Sequence, residues 1–496
     1  GFASACTFCM HRPSPLASAL PSSQSPSALT NMRHLSRAKS TAAATVAATL
    51  TNMRHLSRAK STAAATVAAA TTVDYAAHLT RRSLARQPSA IRALQPLVTQ
   101  PGMISLGGGM PNPSTFPFTR ITAELRDGSE IELTGKQLES ALQYSPTLGL
   151  PPLVEHLYQL QRAEHGIGPE RQVCVTTGSA DALSKAFDAL LGEGDALLVE
   201  SPTYSGSLAY LQPLGCQLVG VPTDGDGLDP ALLEERLAGW DAAREGAPRP
   251  RVLYTIPTGG NPTGASLGVE RKRRLYEVAR SFDLIVLEDD PYHWLQFGYA
   301  AGGTARTPSL LSLDEDGRVL RFDSFSKLLA SGLRLGWATG PPELIERLQL
   351  HTQASNLHTC GVAQGLVAAL LDKWAADHAG DVHAGFAAKM GEVASFYQQR
   401  CDVFVAAAER HLSGLAEWTT PDAGMFVWLR LLGVADSHAL ITQHALSAKV
   451  LLVPGQSFMP CNSPSSHVRA AFSTASPEQI DQALQRLATL LKQAQD

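Results

Sequence analysis

Residues Val319–Arg334 read VLRFDSFSKLLASGLR, and this stretch indicates both a buried strand and a ligand site. Its first five residues are mostly apolar and end at an aspartate, which is typical of a strand inside a sheet. Two serines and Lys327 follow, and Arg334 comes seven residues after the lysine. Hydroxyl groups beside two cations suit a phosphorylated ligand that carries a carbonyl group. The stretch therefore predicts a strand that ends near Lys327. Taken alone, such a lysine is more often a solvated surface residue, and the other strand ends are needed to make it a candidate reactive group.

The alternation of short apolar runs and longer helical stretches extends outward from this segment. Each run is bounded by Gly, Pro, Ser or Asp, as strands commonly are. The predicted strands are Val173–Thr176, Ala196–Glu200, Gln217–Val221, Val252–Ile256, Leu284–Glu288 and Val319–Asp323, and the predicted helices between them include Ser179–Leu191, Pro230–Gly239 and Val269–Phe282. Strands separated by helices form βαβ units. We therefore predict an α/β fold with a mostly parallel sheet that is covered by helices.

Polar side chains follow the ends of five predicted strands. In sheets of this kind, ligands bind beyond the carboxyl ends of the strands. The residues after these ends are Gly178-Ser179, Ser201-Pro202-Thr203-Tyr204, Asn261-Pro262, Asp289 with Tyr292, and Lys327 with Arg334. A helix N-terminus, an aromatic ring, an amide, a carboxylate and two cations together suit a phosphorylated, ring-shaped ligand that carries a carbonyl group.

The composition is that of a large globular chain. Of the 496 residues, 44% are hydrophobic and 17% are charged, which is enough apolar material for a large core and excludes wholesale disorder. The sequence lacks a run of about 18 apolar residues, so we expect a soluble body and no membrane partner. Seven scattered cysteines do not make a disulfide framework in a chain of this length. This favours a reducing compartment.

Residues 1–73 differ from the rest of the chain in charge. Seven Lys and Arg occur before Asp74, which is the first acidic residue, and the segment Leu29–Ala48 recurs letter for letter as Leu50–Ala69. A basic, Ser-rich leader without acids is typical of an organelle transit peptide. We predict the mitochondrial matrix, with plastid or cytoplasm as alternatives. A disordered tail or a duplicated gene segment remains an alternative, whereas charges this sparse do not indicate a nucleic-acid partner.

The order and spacing of these motifs resemble those of fold-type I pyridoxal-phosphate aminotransferases. The likeness runs from about Tyr75 to Phe472 and is to the subgroup of 2-aminoadipate, kynurenine and aromatic amino-acid aminotransferases. The family carries its lysine in the pattern S-x-S-K, which Ser324, Ser326 and Lys327 reproduce here. The resemblance implies that Lys327 binds the cofactor aldehyde covalently and moves the substrate's Cα proton.

The resemblance also implies how the cofactor phosphate is held. Arg334 would bind it together with Ser324 and Ser326, and the backbone at Ser179 and Ala180 would add amide donors. The relatives carry a polar side chain where Ala180 stands, so that contact is absent here. Tyr144 matches a tyrosine that reaches the phosphate of the neighbouring subunit. A homodimer with shared active sites is therefore expected.

The remaining cofactor contacts implied by the resemblance concern the pyridine ring. Asp289 would face the ring nitrogen and keep it protonated, which makes the ring an electron sink. Tyr292 and Asn261 would hydrogen-bond the phenolic oxygen of the ring, and Tyr204 would stack on the ring. The adjacent acid, Asp290, would point to the other side of an extended chain and have a structural role.

Substrate contacts implied by the resemblance come from distant parts of the chain. Arg469 matches the arginine that binds the substrate α-carboxylate, with Asn261 on the same side. Gly109 lies in a loop that resembles the stretch lining the substrate side. Arg92 lines up with an arginine that meets the distal group of the substrate, although an exposed helical arginine is an equal alternative. Metal ligands are not expected.

The family resemblance implies a domain division and a reaction. Residues 1–73 would be the leader and residues 113–350 the large domain that binds the cofactor. Residues 74–112 and 351–496 would combine into a smaller α+β domain. The reaction would move an amino group from an amino acid to a 2-oxo acid, with 2-oxoglutarate as the expected acceptor. A lyase or decarboxylase with the same cofactor, or a transcription regulator that senses it, remains an alternative.

Overall fold

The computed structural model describes residues 73–91, 100–104, 106–107, 109–298 and 306–495. These residues belong to one compact unit. The leader predicted over residues 1–73 lies outside the described residues except for Val73, and so does Arg92.

The described strands form two larger sheets and one hairpin. They are β1 (Arg120–Glu124), β2 (Glu130–Thr134), β3 (Gln172–Thr176), β4 (Ala196–Ser201), β5 (Gln217–Asp224), β6 (Gly227–Leu228), β7 (Val252–Thr255), β8 (Ile285–Asp289), β9 (Val319–Ser324), β10 (Gly336–Gly340), β11 (Ala416–Glu417), β12 (Phe426–Leu431), β13 (Val453–Pro454) and β14 (His467–Ala471). The first two strands pair with each other as the hairpin. All six strands predicted from the sequence are confirmed.

Eight of the described strands make the large sheet, in the order β3-β10-β9-β8-β7-β4-β5-β6. Five neighbours, from β9 to β5, pair in parallel. The strand β10, which the sequence reading did not predict, runs antiparallel to both of its neighbours. The expected mostly parallel sheet is therefore confirmed, with two strands, β10 and the edge strand β6, that run in the opposite direction.

The described helices lie between and around these strands. They are α1 (Tyr75–His78), α2 (Arg81–Ala85), α3 (Gly135–Leu142), α4 (Pro151–His165), α5 (Ser179–Leu190), α6 (Ser205–Leu211), α7 (Pro230–Ala238), α8 (Ala242–Glu245), α9 (Val269–Ser281), α10 (Pro342–Ser355), α11 (Gly361–Ala376), α12 (Val382–Leu412), α13 (Ser437–Ala439) and α14 (Pro477–Gln495). The three predicted helices are confirmed to within one residue. The domain boundary expected between residues 350 and 351 falls inside α10. None of the described helices has the length and hydropathy of a membrane span.

Local sequence explains where these helices begin and end. Helix α7 starts at Pro230, and the side chain of Asp229 accepts a hydrogen bond from the Ala231 amide at 2.8 Å. A proline in the first turn and an acidic cap are the usual signals of a helix start. Helix α4 ends at Gly166, whose φ of 70° is the left-handed conformation that suits glycine.

The large sheet is buried on both faces. Along β8, Ile285 and Leu287 pack in one apolar cluster while Val286 packs in the other. Strand β7 behaves in the same way, with Tyr254 in the first cluster and Leu253 in the second. Successive side chains of a strand point to opposite faces, so two cores form on the two sides of one sheet. A strand buried on both sides leaves its polar chemistry to its ends.

The smaller sheet has the antiparallel order β11-β12-β14-β13. Strand β14 carries Arg469, which pairs in register with Trp428 on β12 and Val453 on β13. The neighbouring residues Val468 and Ala470 are buried. The sheet therefore supplies a firm base for one arginine that comes from far along the chain.

The first described residues are docked on the large sheet's helices and loops. The Tyr75 hydroxyl donates to the Gly317 carbonyl at 2.7 Å, and the Thr80 amide donates to the Ala189 carbonyl at 2.8 Å. Arg86 pairs with Asp188 at 3.0 Å. The described part of the chain is thus bound to the rest of the fold from Tyr75 onward.

Candidate active site

Most of the predicted site residues follow the carboxyl ends of neighbouring strands in the large sheet. Lys327 follows β9, Asp289 ends β8, and Asn261 follows β7. Tyr204 follows β4, and Ser179 follows β3. Because these strands point the same way, their ends meet at one edge of the sheet. The structure thus places five segments of the chain around one location.

Arg334 and the turn after β9 form the cationic part of the site. The Nη1 group of Arg334 donates to the Ser326 hydroxyl at 3.1 Å and to the Ser331 carbonyl at 3.0 Å. The amide of Ser326 donates to the hydroxyl of Ser324 at 3.2 Å. Arg334 has a φ of 51°, a left-handed backbone that arginine rarely adopts. Strain of this kind is common at ligand sites, where it fixes one side chain in place.

The N-terminus of α5 faces the same guanidinium. Gly178 precedes this helix with a φ of 81°, and a Cβ atom there would lie 2.6 Å from Nη2 of Arg334. Only glycine leaves this space, so the helix start and the arginine lie side by side. Ser179 is partly exposed and Ala180 is exposed in the first turn of the helix. Helix amides and a guanidinium together make a cradle for a phosphate group.

Asp289 is buried with one oxygen unpaired among the described residues. Its Oδ2 accepts a hydrogen bond from the Tyr254 hydroxyl at 2.8 Å, whereas its Oδ1 has no partner there. Burial raises the pKa of Asp289 to about 7. A buried carboxylate that lacks a partner is costly unless a ligand supplies a donor. A protonated ring nitrogen is such a donor, so this carboxylate fits pyridoxal phosphate.

Asp290, one residue further, is bound by a cation through its Oδ2, while its Oδ1, like that of Asp289, has no hydrogen-bond partner among the described residues. Its Oδ2 accepts from Arg321 at 2.9 Å and from the Thr258 hydroxyl at 3.2 Å. Burial alone would raise the pKa of Asp290, but the charge of Arg321 holds it below its ordinary value. The expected structural role of Asp290 agrees with these contacts.

Asn261, Tyr292 and Arg469 come together, although they are distant in the sequence. The Nη1 group of Arg469 donates to Oδ1 of Asn261 at 2.9 Å, and the Asn261 side chain lies near Tyr292, whose pKa it acts to lower against the effect of burial. The guanidinium lies 4.4 Å from the centre of the Phe426 ring and 5.1 Å from that of Phe458. Two aromatic faces and one amide hold the arginine in a single orientation. An arginine fixed in this way is suited to bind a carboxylate.

Lys327 is half-buried between charged neighbours. Burial lowers the pKa of Lys327 below its ordinary value, and the positive charges of Arg469 and Arg334 lower it further. A lowered pKa makes the neutral amine more available, which both attack on an aldehyde and acceptance of a proton require. For Tyr204, burial raises the pKa, and the charge of Asp289 adds to that effect. This tyrosine therefore lies close to the unpaired carboxylate.

Two predicted residues, Tyr144 and Gly109, make no contact with the side chains at this location among the described residues. Tyr144 is 49% exposed, and its ring meets that of His358 edge to face at 6.0 Å. Gly109 is exposed, and a Cβ atom there would have open space within 4 Å among the described residues. Arg92 lies outside the described residues. The described contacts thus link Asn261, Arg334 and Asp289 to their neighbours in the site, but they do not link Tyr144 or Gly109 to it.

Four residues near the site were missed by the sequence reading: Tyr254, Ser207, Phe426 and Phe458. Tyr254 and Phe426 lie within apolar runs, where an aromatic residue is typical of a core position. Ser207 and Phe458 lie in a short helix and a 3-10 turn without any recognisable motif. Spacing gave no signal for these four, because each acts through another residue.

The family model for "Aminotransferase class I and II" matches residues 103–487 of the chain. The chain belongs to the class I and II aminotransferases. This aminotransferase is 42% identical over 436 residues to the "Kynurenine/alpha-aminoadipate aminotransferase, mitochondrial" of Bos taurus. The alignment covers 85% of this chain and 100% of that relative.

Solved structures support the same assignment for the aminotransferase. Aminotransferase Aro8 from Candida albicans aligns with a TM-score of 0.76 at 28% identity, over 85% of this chain and 99% of that one. The Pyrococcus horikoshii kynurenine aminotransferase, solved with PMP, kynurenine and its product, aligns at 0.65 with 31% identity, over 85% of this chain and 98% of that one.

These findings confirm the family, the fold-type I architecture and the chemistry expected from the sequence. The protein is an enzyme that performs transamination with pyridoxal phosphate as cofactor. The comparisons bring no support for the lyase, decarboxylase or regulator alternatives. The unpaired oxygen of Asp289 and the cradle at Gly178 fit that cofactor, as described above.

Proposed function

We propose that this aminotransferase uses 2-aminoadipate, kynurenine and aromatic amino acids as amino donors, and 2-oxoglutarate as acceptor. The observation that carries the proposal is the fixed guanidinium of Arg469, held by Asn261 beside the half-buried Lys327. The Bos taurus and Pyrococcus horikoshii relatives are named for kynurenine, and the former also for alpha-aminoadipate. Branched aliphatic donors such as leucine would be accepted as well, since they need no charge partner.

Each residue of the site would have a distinct task in this reaction. Arg469 would bind the α-carboxylate of the donor in a bidentate manner and so orient its Cα–H bond towards Lys327. The amine of Lys327 would take that proton and return it to the product side. Asp289 would hold the ring nitrogen in its protonated form. Bound pyridoxal phosphate supplies an electron sink that stabilises the carbanion at Cα.

The other cofactor contacts complete the proposal. Ser324, Ser326 and Arg334, with the amides of Ser179 and Ala180, would hold the phosphate. Tyr292 and Asn261 would bind the phenolic oxygen of the ring, and Tyr204 would stack on it. Gly109 would line the substrate side.

We further propose a homodimer located in the mitochondrial matrix. Tyr144 is half-exposed in the single chain, which suits a residue that reaches the phosphate in a neighbouring subunit. The basic leader and the word mitochondrial in the name of the Bos taurus relative support this location. The proposed domains are residues 113–350 for cofactor binding, and residues 74–112 with 351–496 for the smaller domain.

Substrate preference is tested by Arg92→Ala. Arg92 would pair with the distal carboxylate of 2-aminoadipate, so its loss should lower kcat/KM for 2-aminoadipate by about ten- to a hundredfold. Phenylalanine has no distal charge and should change much less. The ratio of kcat/KM for the two donors isolates the side-chain contribution, because Arg469 binds the α-carboxylate of both.

Arg81→Ala is the matched control, since Arg81 is an exposed arginine in the same N-terminal segment. It should leave the donor ratio unchanged. Equal losses for both donors in Arg92→Ala would contradict the proposed role of Arg92. Failure of the wild-type enzyme to use either 2-aminoadipate or kynurenine would contradict the proposed substrates.

A further inference from the structure

Tyr254 lies in the middle of β7, outside the set of residues that would touch the cofactor. Its hydroxyl donates to Oδ2 of Asp289 at 2.8 Å and accepts a hydrogen bond from the Ser207 hydroxyl at 2.9 Å. All three side chains are buried. The three groups therefore form a short chain of hydrogen bonds that ends on the carboxylate with the unpaired oxygen.

The chemistry of the three groups fixes the direction of this chain. An ionised carboxylate only accepts hydrogen bonds, and a tyrosine hydroxyl has one proton to donate. With Asp289 ionised, the Tyr254 proton points to Oδ2, and the Ser207 proton points to the Tyr254 oxygen. Hydrogen bonds in such a chain polarise each other and strengthen the final bond. The outer serine thus supports the donation made by the tyrosine.

The chain also connects two parts of the site. Ser207 belongs to α6, which begins directly after Tyr204, and the Ser207 amide donates to the Tyr204 carbonyl at 3.1 Å. The ring of Tyr254 packs against that of Phe187 edge to face at 5.6 Å. Tyr254 is therefore a fixed point between the carboxylate on β8 and the helix that follows the stacking tyrosine.

We propose that Tyr254 is a positioning residue, supported by Ser207, which keeps Asp289 ionised and turned so that Oδ1 is left for the cofactor ring nitrogen. One oxygen is satisfied by the protein, and the other is reserved for the ligand. The hydrogen bond from Tyr254 acts against burial, which by itself raises the pKa of Asp289. The proposal rests on the aminotransferase family and not on the choice of amino donor.

The test measures how tightly the cofactor-free protein binds pyridoxamine phosphate across a range of pH. This form of the cofactor has the ring nitrogen and the phosphate but no aldehyde, so it does not bond to Lys327. Affinity should fall on the acid side as Asp289 takes up a proton. In Tyr254→Phe the carboxylate loses a donor, so this fall should move to higher pH, and affinity near neutral pH should drop about tenfold.

Tyr210→Phe is the matched control. Tyr210 lies on α6 and stacks on the same Phe187 ring at 6.1 Å, but its hydroxyl is not part of the chain. It should leave the pH dependence unchanged. Ser207→Ala keeps the donation from Tyr254 and should give a smaller shift in the same direction.

The results decide between a positioning role and a merely structural one. A shift of the acid-side fall in Tyr254→Phe, absent in Tyr210→Phe, supports the proposal. A folded Tyr254→Phe protein with an unmoved pH dependence overturns it. If Tyr254→Phe does not fold, Ser207→Ala decides, and an unmoved pH dependence there overturns the proposal. Because no amino acid is present, these outcomes are independent of which donor the enzyme uses.

Discussion

Asp289 and Asp290 are adjacent on the chain and each has one buried oxygen without a hydrogen-bond partner among the described residues, but of the two only Asp290 is bound by a guanidinium there. Asp289 keeps one oxygen without a partner among the described residues, and burial raises its pKa to about 7. Asp290 is just as buried, yet Arg321 binds it at 2.9 Å, and its pKa lies below the ordinary value. Successive residues of an extended chain point to opposite sides, which explains why neighbours meet different partners.

The difference shows how the fold separates function from stability. Arg321 binds Asp290 on one side and Asp323 on the other at 2.8 Å, and Asp323 also accepts from Gln161 at 2.7 Å. In that interior group, one buried guanidinium faces the carboxylates of Asp290, Asp323 and Glu288. Asp289 instead has a buried oxygen that only a ligand would satisfy. This lowers the free energy of unfolding until the ligand binds.

Among the residues around Asp289 and the proposed cofactor site, Lys327→Ala should have the largest effect. Under the proposed role of Lys327, loss of the amine would remove both the covalent anchor and the proton carrier, so turnover should be lost entirely. Cofactor should still bind through the phosphate cradle, and the free energy of unfolding should change by less than about 1 kcal/mol. Single-turnover assays and denaturant unfolding measure the two quantities.

Lys492→Ala, in an exposed part of the C-terminal helix, is the control and should behave as the wild type. Reduction of the cofactor-bound wild type with borohydride should leave the cofactor on Lys327. Detection of the adduct on another lysine by mass spectrometry would refute the role of Lys327.

Around Asp290, Arg321→Met should lower the free energy of unfolding. The fully buried guanidinium would be replaced by an apolar chain of similar length, leaving Asp290 and Asp323 without their cation. Removing one partner of a buried charge group costs about 3–5 kcal/mol in free energy of unfolding. The loss should shrink at low pH, where the carboxyl groups become neutral.

Denaturant unfolding of the cofactor-free protein measures this loss. Arg430→Met provides the comparison, because Arg430 pairs with Glu417 at the exposed surface. That change should cost no more than about 1 kcal/mol. Equal losses in the two variants would show that the buried ion pairs of Arg321 stabilise the fold no more than a surface ion pair does.

Asp289→Asn should have a smaller effect, and it should raise the free energy of unfolding of the cofactor-free protein. The folded-state pKa of Asp289 is about 7, above the roughly 3.9 of an unfolded chain. The folded protein therefore holds a proton that the unfolded chain releases, and this group makes stability fall as pH rises from about 4 to about 7. The variant should remove that fall and stabilise the cofactor-free protein by about 2–4 kcal/mol near pH 7.

Thermal or denaturant unfolding at several pH values, without cofactor, measures this stabilisation. Part of the pH dependence should persist in the variant, because burial also raises the pKa of Glu200 to about 7. A variant that is less stable than the wild type at neutral pH would contradict the idea that Asp289 is held at a cost. Transamination by Asp289→Asn should be strongly reduced, unlike its stability.

The sequence predicted the parts of the site that lie at strand ends. Lys327, Asp289 and Asn261 each follow an apolar run, and a parallel sheet gathers such positions at one edge. The resemblance to a known family added Arg469, which no local pattern connects to the others. The six predicted strands and three predicted helices were placed correctly because their apolar periodicity is strong.

Other features had no signal in the sequence. Strand β10 has the sequence Gly336–Gly340, and its two glycines and lack of alternation concealed it. The aromatic faces that hold Arg469 are supplied by Phe426 and Phe458, which look like ordinary core residues. Tyr254 is equally inconspicuous inside a buried strand. These residues are defined by tertiary contacts, which a pattern along the chain does not encode.

The docking of the first described helix restricts where the chain could be cut without loss of its contacts. Val73 is buried and the Tyr75 hydroxyl is bound to Gly317, so a cut that removed the proposed leader would have to fall upstream of Val73 to spare these contacts. Upstream of that point, a duplication such as the repeat of Leu29–Ala48 lengthens the chain without altering any described contact. The proposed import signal could therefore change in length and sequence while the described contacts of the catalytic body are preserved.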